Sequence, residues 1–179
     1  MRLSPLLPIL DPPALGLRPQ QALALACARW PQQLLLRTRE LPAGDETHWL
    51  QLFESQYPGL LIANPGQAQP GRATTLRHYP QGRHPLRGPS AFGMSAHSLV
   101  AVEQACAAGA SWILLSPMRA TASHPGIPAL DAAQRALCVA AGKRSQVQVF
   151  GLGGLGPHDL PWAQAEGLDG VAGIRSFFS

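Results

Sequence analysis

The sequence predicts an α/β fold: one closed parallel barrel of eight β/α units, a (β/α)8 TIM barrel, small, with some crossover helices shortened or missing. Three observations predict it. Short apolar runs alternate with Ala/Leu/Gln-rich stretches of helical spacing along the chain. Some runs are apolar throughout, as in Leu34-Leu35-Leu36, which suits strands covered on both faces. Charged residues are only 13% of the chain, in keeping with a sheet buried on both sides. The competing architecture is an open doubly wound sheet. Barrels of this kind run to about 250 residues, with about 200 a usual lower limit. The 179 residues therefore read as a single trimmed domain, 1–179, with no linker.

The elements follow in order. The first strand covers Leu6 to Leu10 and ends at Asp11, and a helix runs from Pro19 to Trp30. The second strand is Gln33 to Arg37; Asp45 is expected to cap a helix reaching Gln56. The third strand is Gly59 to Ala63, closed by Asn64-Pro65. Gly66 to Arg72 is too polar and too rich in Gly and Pro for a helix. Thr74 to Arg77 reads as a short strand and Gln81 to Ser90 as a loop, so two crossovers are stripped to loops. Ala91 to Ser95 is the fifth strand. Ser98 caps a helix that ends at Gly109. Trp112 to Leu115 is the sixth strand, followed by a long loop, Ser116 to Pro128, and a helix over Leu130 to Ala141. The seventh strand is Gln146 to Phe150, and Gly151 to Gly156 is a glycine-rich turn. Pro157 opens a short helix, Leu168 to Ala172 is the eighth strand, and a full last helix does not fit.

Composition narrows the function. The net charge is +4, and thirteen of the fourteen basic residues are Arg, Lys143 being the exception. Coding bias explains that preference blandly; Arg also suits bidentate contacts to phosphate. No basic cluster with interleaved aromatics appears, so nucleic acid is not an expected partner. Cys27, Cys106 and Cys138 are far apart and form no CxxC pair, so they read as structural thiols in a reducing compartment. No secretion signal and no membrane-length apolar run are evident. A soluble, cytoplasmic protein without a membrane partner is expected.

In a parallel barrel, chemistry gathers where strands end and loops begin. Five such ends carry signals. Arg37-Thr38-Arg39 can clamp an anion, or can be surface arginines paired with Glu40 or Asp45. Asn64 before Pro65 is a strand-end polar group or only a turn former. In Ser95-Ala96-His97-Ser98, His97 falls at the barrel mouth, where an imidazole can move protons near neutral pH. On its own, such a His is more often a helix-start residue with a local hydrogen bond. Arg119-Ala120-Thr121-Ala122-Ser123-His124-Pro125-Gly126 offers hydroxyls and a His to phosphate oxygens, or is a solvated loop. Gly151, Gly153 and Gly154, together with Gly173-Ile174-Arg175, let backbone N–H groups approach a phosphate, or simply turn tightly.

Together these ends resemble the thiamin-phosphate synthase and thiazole tautomerase (TenI-type) family. Gly93-Met94-Ser95-Ala96-His97-Ser98 is similar to its Gly-x-Ser-x-His-Ser segment. Leu115-Ser116-Pro117 through Thr121-Ala122-Ser123-His124-Pro125-Gly126 resembles its Gly-Pro…Thr-x-Ser-Lys-Pro-Gly loop. Phe150 to Leu155 and Asp169-Gly170-Val171-Ala172 are similar to its glycine turn and last strand. The spellings Thr-Ala-Ser-His-Pro-Gly and Gly-Val-Ala-Gly-Ile-Arg also resemble the synthase-like domain fused behind some Nudix hydrolases, which implies a functional link to such a hydrolase.

The resemblance implies a site and an activity. The synthase holds magnesium pyrophosphate with two Asp. Here one of those places is Pro65, and Tyr79 to Pro85 has no carboxylate. The synthase's two Lys are matched by Arg39 and His124. A hard cation lacks an anchor in such a set, so no cofactor is expected, and Mg²⁺ only if synthase activity is retained. The tautomerase branch needs no metal and uses the strand-five His, which implies His97 as the acid/base on a thiazole carboxylate phosphate. Arg37 and Arg39 are then expected at the carboxylate or reacting end. Asn64 and Ser95 are expected as further substrate contacts. Thr121, Ser123, His124 and the backbone at Gly153, Gly154 and Gly173 are expected at the phosphate. Arg175 stands where the family has a small Ser, and either strengthens phosphate binding or fills the pocket. The alternatives are a magnesium-dependent synthase and a non-catalytic homologue that binds phosphorylated ligands. A homodimer is expected as one cover for a wall that lacks helices.

Overall fold

A computed structural model describes residues 2–66, 68, 69, 71, 72, 74–83, 91–120 and 128–179. Its strands are β1 (Leu6–Leu10), β2 (Gln33–Arg37), β3 (Leu60–Asn64), β4 (Leu76–Tyr79), β5 (Phe92–Ala96), β6 (Trp112–Leu115), β7 (Gln148–Leu152) and β8 (Gly170–Gly173). They pair in sequence order, all parallel, and β8 returns to β1 through Leu6↔Val171 and Leu7↔Ala172. That last pairing closes the barrel and excludes the open sheet. The helices are α1 (Pro12–Leu15), α2 (Pro19–Arg29), α3 (Ala43–Gln56), α4 (Leu99–Ala107), α5 (Ala132–Arg144), α6 (Leu160–Ala165) and α7 (Arg175–Phe178).

Several boundaries differ from the sequence expectation, for physical reasons. β3 includes Asn64, which pairs with Arg37, and β5 includes Ala96, which pairs with Leu115. An apolar run marks burial, whereas a ladder continues as long as a neighbour can bond. Asp45 does not cap α3. The helix begins at Ala43 behind Pro42, whose carbonyl accepts the Glu46 N–H, and Asp45 sits in the first turn. There its charge still complements the helix dipole. α5 runs past Ala141 to Arg144 because Gly142 is a packing residue and not a terminator. A Cβ there would lie 2.3 Å from Val149 Cγ2.

Among the described residues no helix connects β3 to β4, and most of the Gln81 to Ser90 connection expected as a loop lies outside them. The β3–β4 crossover is instead held by two buried carboxylates of α3. Glu46 accepts from the Thr38 hydroxyl at 3.1 Å, from the Gly66 N–H, and from the Ala68 N–H at 2.7 Å. Glu54 accepts from the Gly71 and Arg72 N–H groups at 3.0 and 3.1 Å and from the Thr75 hydroxyl at 2.9 Å. A loop has backbone donors that a helix would satisfy internally, and α3 supplies the acceptors.

The barrel is filled from within by Leu7, Ile9, Leu35, Ile62, Trp112, Leu114, Phe150 and Ala172. Trp112 is the largest of these and needs Gly93 beside it. A Cβ on Gly93 would lie 2.0 Å from the indole Nε1. At the N-terminal end, the Gln148 amide bonds both ways with the Leu3 backbone and the Gln33 amide with that of Ser4. The four-residue α7 folds back so that Trp30 Nε1 donates to the Phe177 carbonyl at 3.0 Å. The three cysteines are free thiols. No helix among the described residues is long and apolar enough to cross a membrane.

Candidate active site at the barrel mouth

The register places a continuous polar arc at the C-terminal ends of the strands. Ile9, Leu35, Ile62 and Leu76 are partners across β1 to β4 and fill one apolar level or pack against it. Side chains on a strand alternate, so two residues further along stand Asp11, Arg37, Asn64 and His78. Ser95 on β5 and Ser116 after β6 continue the arc. On the other side, β7 and β8 bring Leu152, Ile174 and glycines.

Arg37 forms ion pairs with Asp11 and with Glu40. It is thus largely neutralised within the protein, and the pairing with Glu40 open from the sequence is present. Arg39 is more open: its side chain is 39% exposed, and its Nε lies 3.9 Å from the same Glu40. Burial first, and then the neighbouring Arg37 charge, lower its pKa from the ordinary value. The Arg83 charge adds a smaller push in the same direction.

Asn64 is buried and its Oδ1 has no hydrogen-bond partner among the described residues. His78 is buried at 2% exposure, with Nε2 2.9 Å from Ser95 Oγ and Nδ1 without a partner among the described residues. Burial drives its pKa down from 6.5 to about 3, and the Arg39 charge adds to the fall. The imidazole is therefore neutral, stacked at 6.3 Å on Trp112.

His97 is exposed at the rim. Its Nδ1 lies 3.0 Å from both the carbonyl oxygen and the hydroxyl of Ser116. A carbonyl can only accept, so Nδ1 carries the proton and donates. In the neutral imidazole the lone pair is then on Nε2. Ser98 caps α4 just beyond, accepting from the Ala101 N–H at 3.3 Å, and so fixes where the strand turns into the helix.

The glycine side is tied to the loop after β6. Gly153 and Gly154 have φ of +103° and +69°, conformations that favour glycine. The Met118 N–H donates to Leu152 O at 2.9 Å and the Arg119 N–H to Gly153 O at 3.1 Å. Arg119 then donates to the Gly154 carbonyl at 3.2 Å and to Asp159 at 2.6 Å, and its guanidinium lies 5.5 Å from the Trp162 ring. Burial raises the Asp159 pKa, but the Gly156 N–H and Arg119 outweigh it and leave it below the usual value. Gly173 is needed for packing: a Cβ would lie 2.7 Å from the Phe177 ring. Arg175 is exposed in the first turn of α7. Thr121, Ser123 and His124 lie outside the described residues.

The structure therefore brings Arg37, Arg39, Asn64, Ser95 and His97 to the mouth, with Gly153, Gly154 and Gly173 on the opposite side. Sequence reasoning did not assign Asp11, His78, Ser116 or Arg119 to the site. The signal for His78 was the alternation Leu76–His78, which points both residues inward. Among the described residues the donor set does not fit a magnesium ion: Asp11 and Glu40, carboxylates on this side, are engaged by Arg37, and Asn64 is followed by Pro65. Among the described residues, no three His, Cys, Asp or Glu side chains converge as a metal site.

A family model described as thiamine monophosphate synthase (TMP-TENI) matches residues 80–177. No curated protein matches the chain by sequence. Solved structures do match it. A thiamine phosphate pyrophosphorylase from Pyrococcus furiosus superposes with a TM-score of 0.68 at 16% identity, covering 94% of this chain and 84% of its own. One from Bacteroides thetaiotaomicron gives 0.59 at 16% identity, with 97% and 84% covered. A HpcH/HpaI aldolase/citrate lyase family protein from Burkholderia cenocepacia J2315 gives 0.65 at 16% identity, with 96% and 88% covered. Such identities across different chemistries show the shared barrel alone.

Proposed function

The chain belongs to the thiamine monophosphate synthase family, and on that premise we propose that it binds a phosphorylated thiazole or thiamin-type ligand at the barrel mouth and tautomerises it without a metal. The observation that carries this reading is the held imidazole of His97. Its Nδ1–H is fixed on Ser116, so Nε2 is presented as a base. In the proposed step, Nε2 takes a proton from one atom of the ligand ring and returns it to another. The imidazolium formed between the two transfers is stabilised by the Ser116 carbonyl and hydroxyl. Arg39, less engaged than Arg37, faces the ligand carboxylate. The Gly153-Gly154 turn and Gly173 receive the phosphate, together with Thr121, Ser123 and His124. Asn64 and Ser95 supply polar contacts at the floor, and Arg175 meets the phosphate from the start of α7.

The test is turnover of a thiazole carboxylate phosphate by wild type and His97→Asn. The variant is expected to lose about 100- to 10,000-fold, and equal rates would remove His97 from the mechanism.

A second reading is the synthase reaction, favoured by the description of the matching family. Magnesium-dependent formation of thiamin phosphate would establish it and overturn the argument from the engaged carboxylates. Titration calorimetry separates both from a binding-only protein, which would give heat with thiazole or thiamin phosphates and turn over neither.

A further inference from the structure

We infer that the outer face of α4 and α5 is a self-association surface, covered in solution by a second copy of this chain. Val100 on α4 and Leu137 on α5 are 61% and 56% exposed, and they are the large apolar side chains standing open among the described residues. Leu137 is not isolated. Ala133 and Ala136 are exposed beside it and Ala140 is half-buried, at the i, i+3, i+4, i+7 spacing of one helix face. The other face of α5 is spent on the barrel, where Cys138, Val139, Ala141 and Gly142 are buried. The stripe is therefore an apolar strip on the outer side of α5 that no described residue of the chain buries.

α4 lies alongside and extends the patch. A cleft of about 290 Å³ between the two helices is lined by Glu103, Cys106 and Ala107 from α4 and by Ala141, Arg144 and Ser145 from α5. The helices both follow a strand and run the same way, so this pairing sets Val100 level with Leu137. The β3–β4 connection, by contrast, is already held against α3 by Glu46 and Glu54.

The charges favour a second copy as the occupant. The α5 stripe is centred between Ala136 and Leu137. A two-fold axis through that point lays the stripe on itself, Ala133 against Ala140 and Ala136 against Leu137. The same rotation brings the N-terminal end of one α5, capped by Asp131, to the C-terminal end of the other, which carries Lys143 and Arg144. The two helix dipoles then oppose. Glu103 and Arg144 line the cleft, and neither has a hydrogen bond or ion pair to a described residue. Both are therefore available to the second copy.

The experiment is sedimentation equilibrium on the full chain, wild type against Leu137→Lys, Val100→Lys and Arg144→Glu, with circular dichroism to confirm that each folds. Wild type is expected at twice the 19.0 kDa chain mass. Each Lys variant is expected at the single-chain mass, and Arg144→Glu is expected to dissociate at lower protein concentration than wild type. All three positions are exposed, so the barrel should tolerate the changes. A monomeric wild type at 100 µM overturns the inference. So does a dimer that both Lys variants leave intact, which would place the interface elsewhere.

Discussion

Replacing Glu46 by Ala tests whether a carboxylate can stand in for a crossover helix. Among the described residues three donors converge on Glu46: the Thr38 hydroxyl at 3.1 Å, the Gly66 N–H, and the Ala68 N–H at 2.7 Å. Glu46 is only 1% exposed, so the shortened side chain would leave a buried gap where these acceptors were. Each stranded donor costs about 1–3 kcal/mol. Gly66 and Ala68 lie on a connection that can turn toward water, so the lower end applies, giving a loss of about 3 kcal/mol. That is a large share of the about 5–15 kcal/mol typical of a domain. Glu46→Gln keeps the shape and one acceptor oxygen, but turns an NH₂ toward a donor, and is expected to lose roughly half as much on the same per-bond scale. Equilibrium urea unfolding would measure both, with the slope unchanged if the native and unfolded states keep their extents. A Glu46→Ala loss of under about 0.5 kcal/mol, a surface-like value, would refute the idea that this carboxylate organises the crossover.

Three further predictions address the interior and the mouth. His78 holds a pKa near 3 against 6.5 in the unfolded chain. Between those values the unfolded state binds the extra proton, so stability falls as pH drops, by about 1.4 kcal/mol per unit from this residue. His78→Gln should flatten that part of a stability–pH curve, and an unchanged slope would show that His78 is not the group responsible. Gly93→Ala drives a methyl to 2.0 Å from the Trp112 indole and is expected to destabilise by about 1–3 kcal/mol or more, measured by denaturation with Trp fluorescence as the probe; a neutral result would mean that the indole has room to move. Arg119→Ala removes a half-exposed ion pair worth about 1 kcal/mol at most, yet should weaken phosphate binding in calorimetry by freeing the Gly153-Gly154 turn; full binding in that variant would count against a positioning role.

The strands were legible because parallel strands buried on both faces announce themselves as apolar runs. Leu34-Leu35-Leu36 and Trp112 to Leu115 fall where the pattern put them. Their last residues were harder to read. Asn64 and Ala96 are held in ladders by Arg37 and Leu115, residues remote in sequence, and single-sequence patterning carries no such information. The same holds for the site. His97 and the glycines were readable from local spelling. The Nδ1 hydrogen bond that gives His97 its tautomer comes from Ser116, nineteen residues away. His78 was hidden because a polar residue inside a barrel breaks the apolar rule on which strand assignment rests.

The polar arc also explains why the arginines of the mouth differ in role. Asp11, just after β1, and Arg37, the last residue of β2, stand side by side, and Glu40 closes on the same guanidinium from the loop. A buried pair of this kind resists separation, because withdrawing either partner leaves an uncompensated charge of several kcal/mol. A ligand carboxylate would have to displace two carboxylates to reach Arg37, whereas among the described residues Arg39 has one distant partner, Glu40 at 3.9 Å, and is partly exposed. Burial and Arg37 both press on the Arg39 charge, so an incoming anion relieves a strain that water relieves less well. The same pairing that withholds carboxylates from a divalent cation thus leaves an arginine unspent for an anion, and both consequences trace to Asp11 standing beside Arg37.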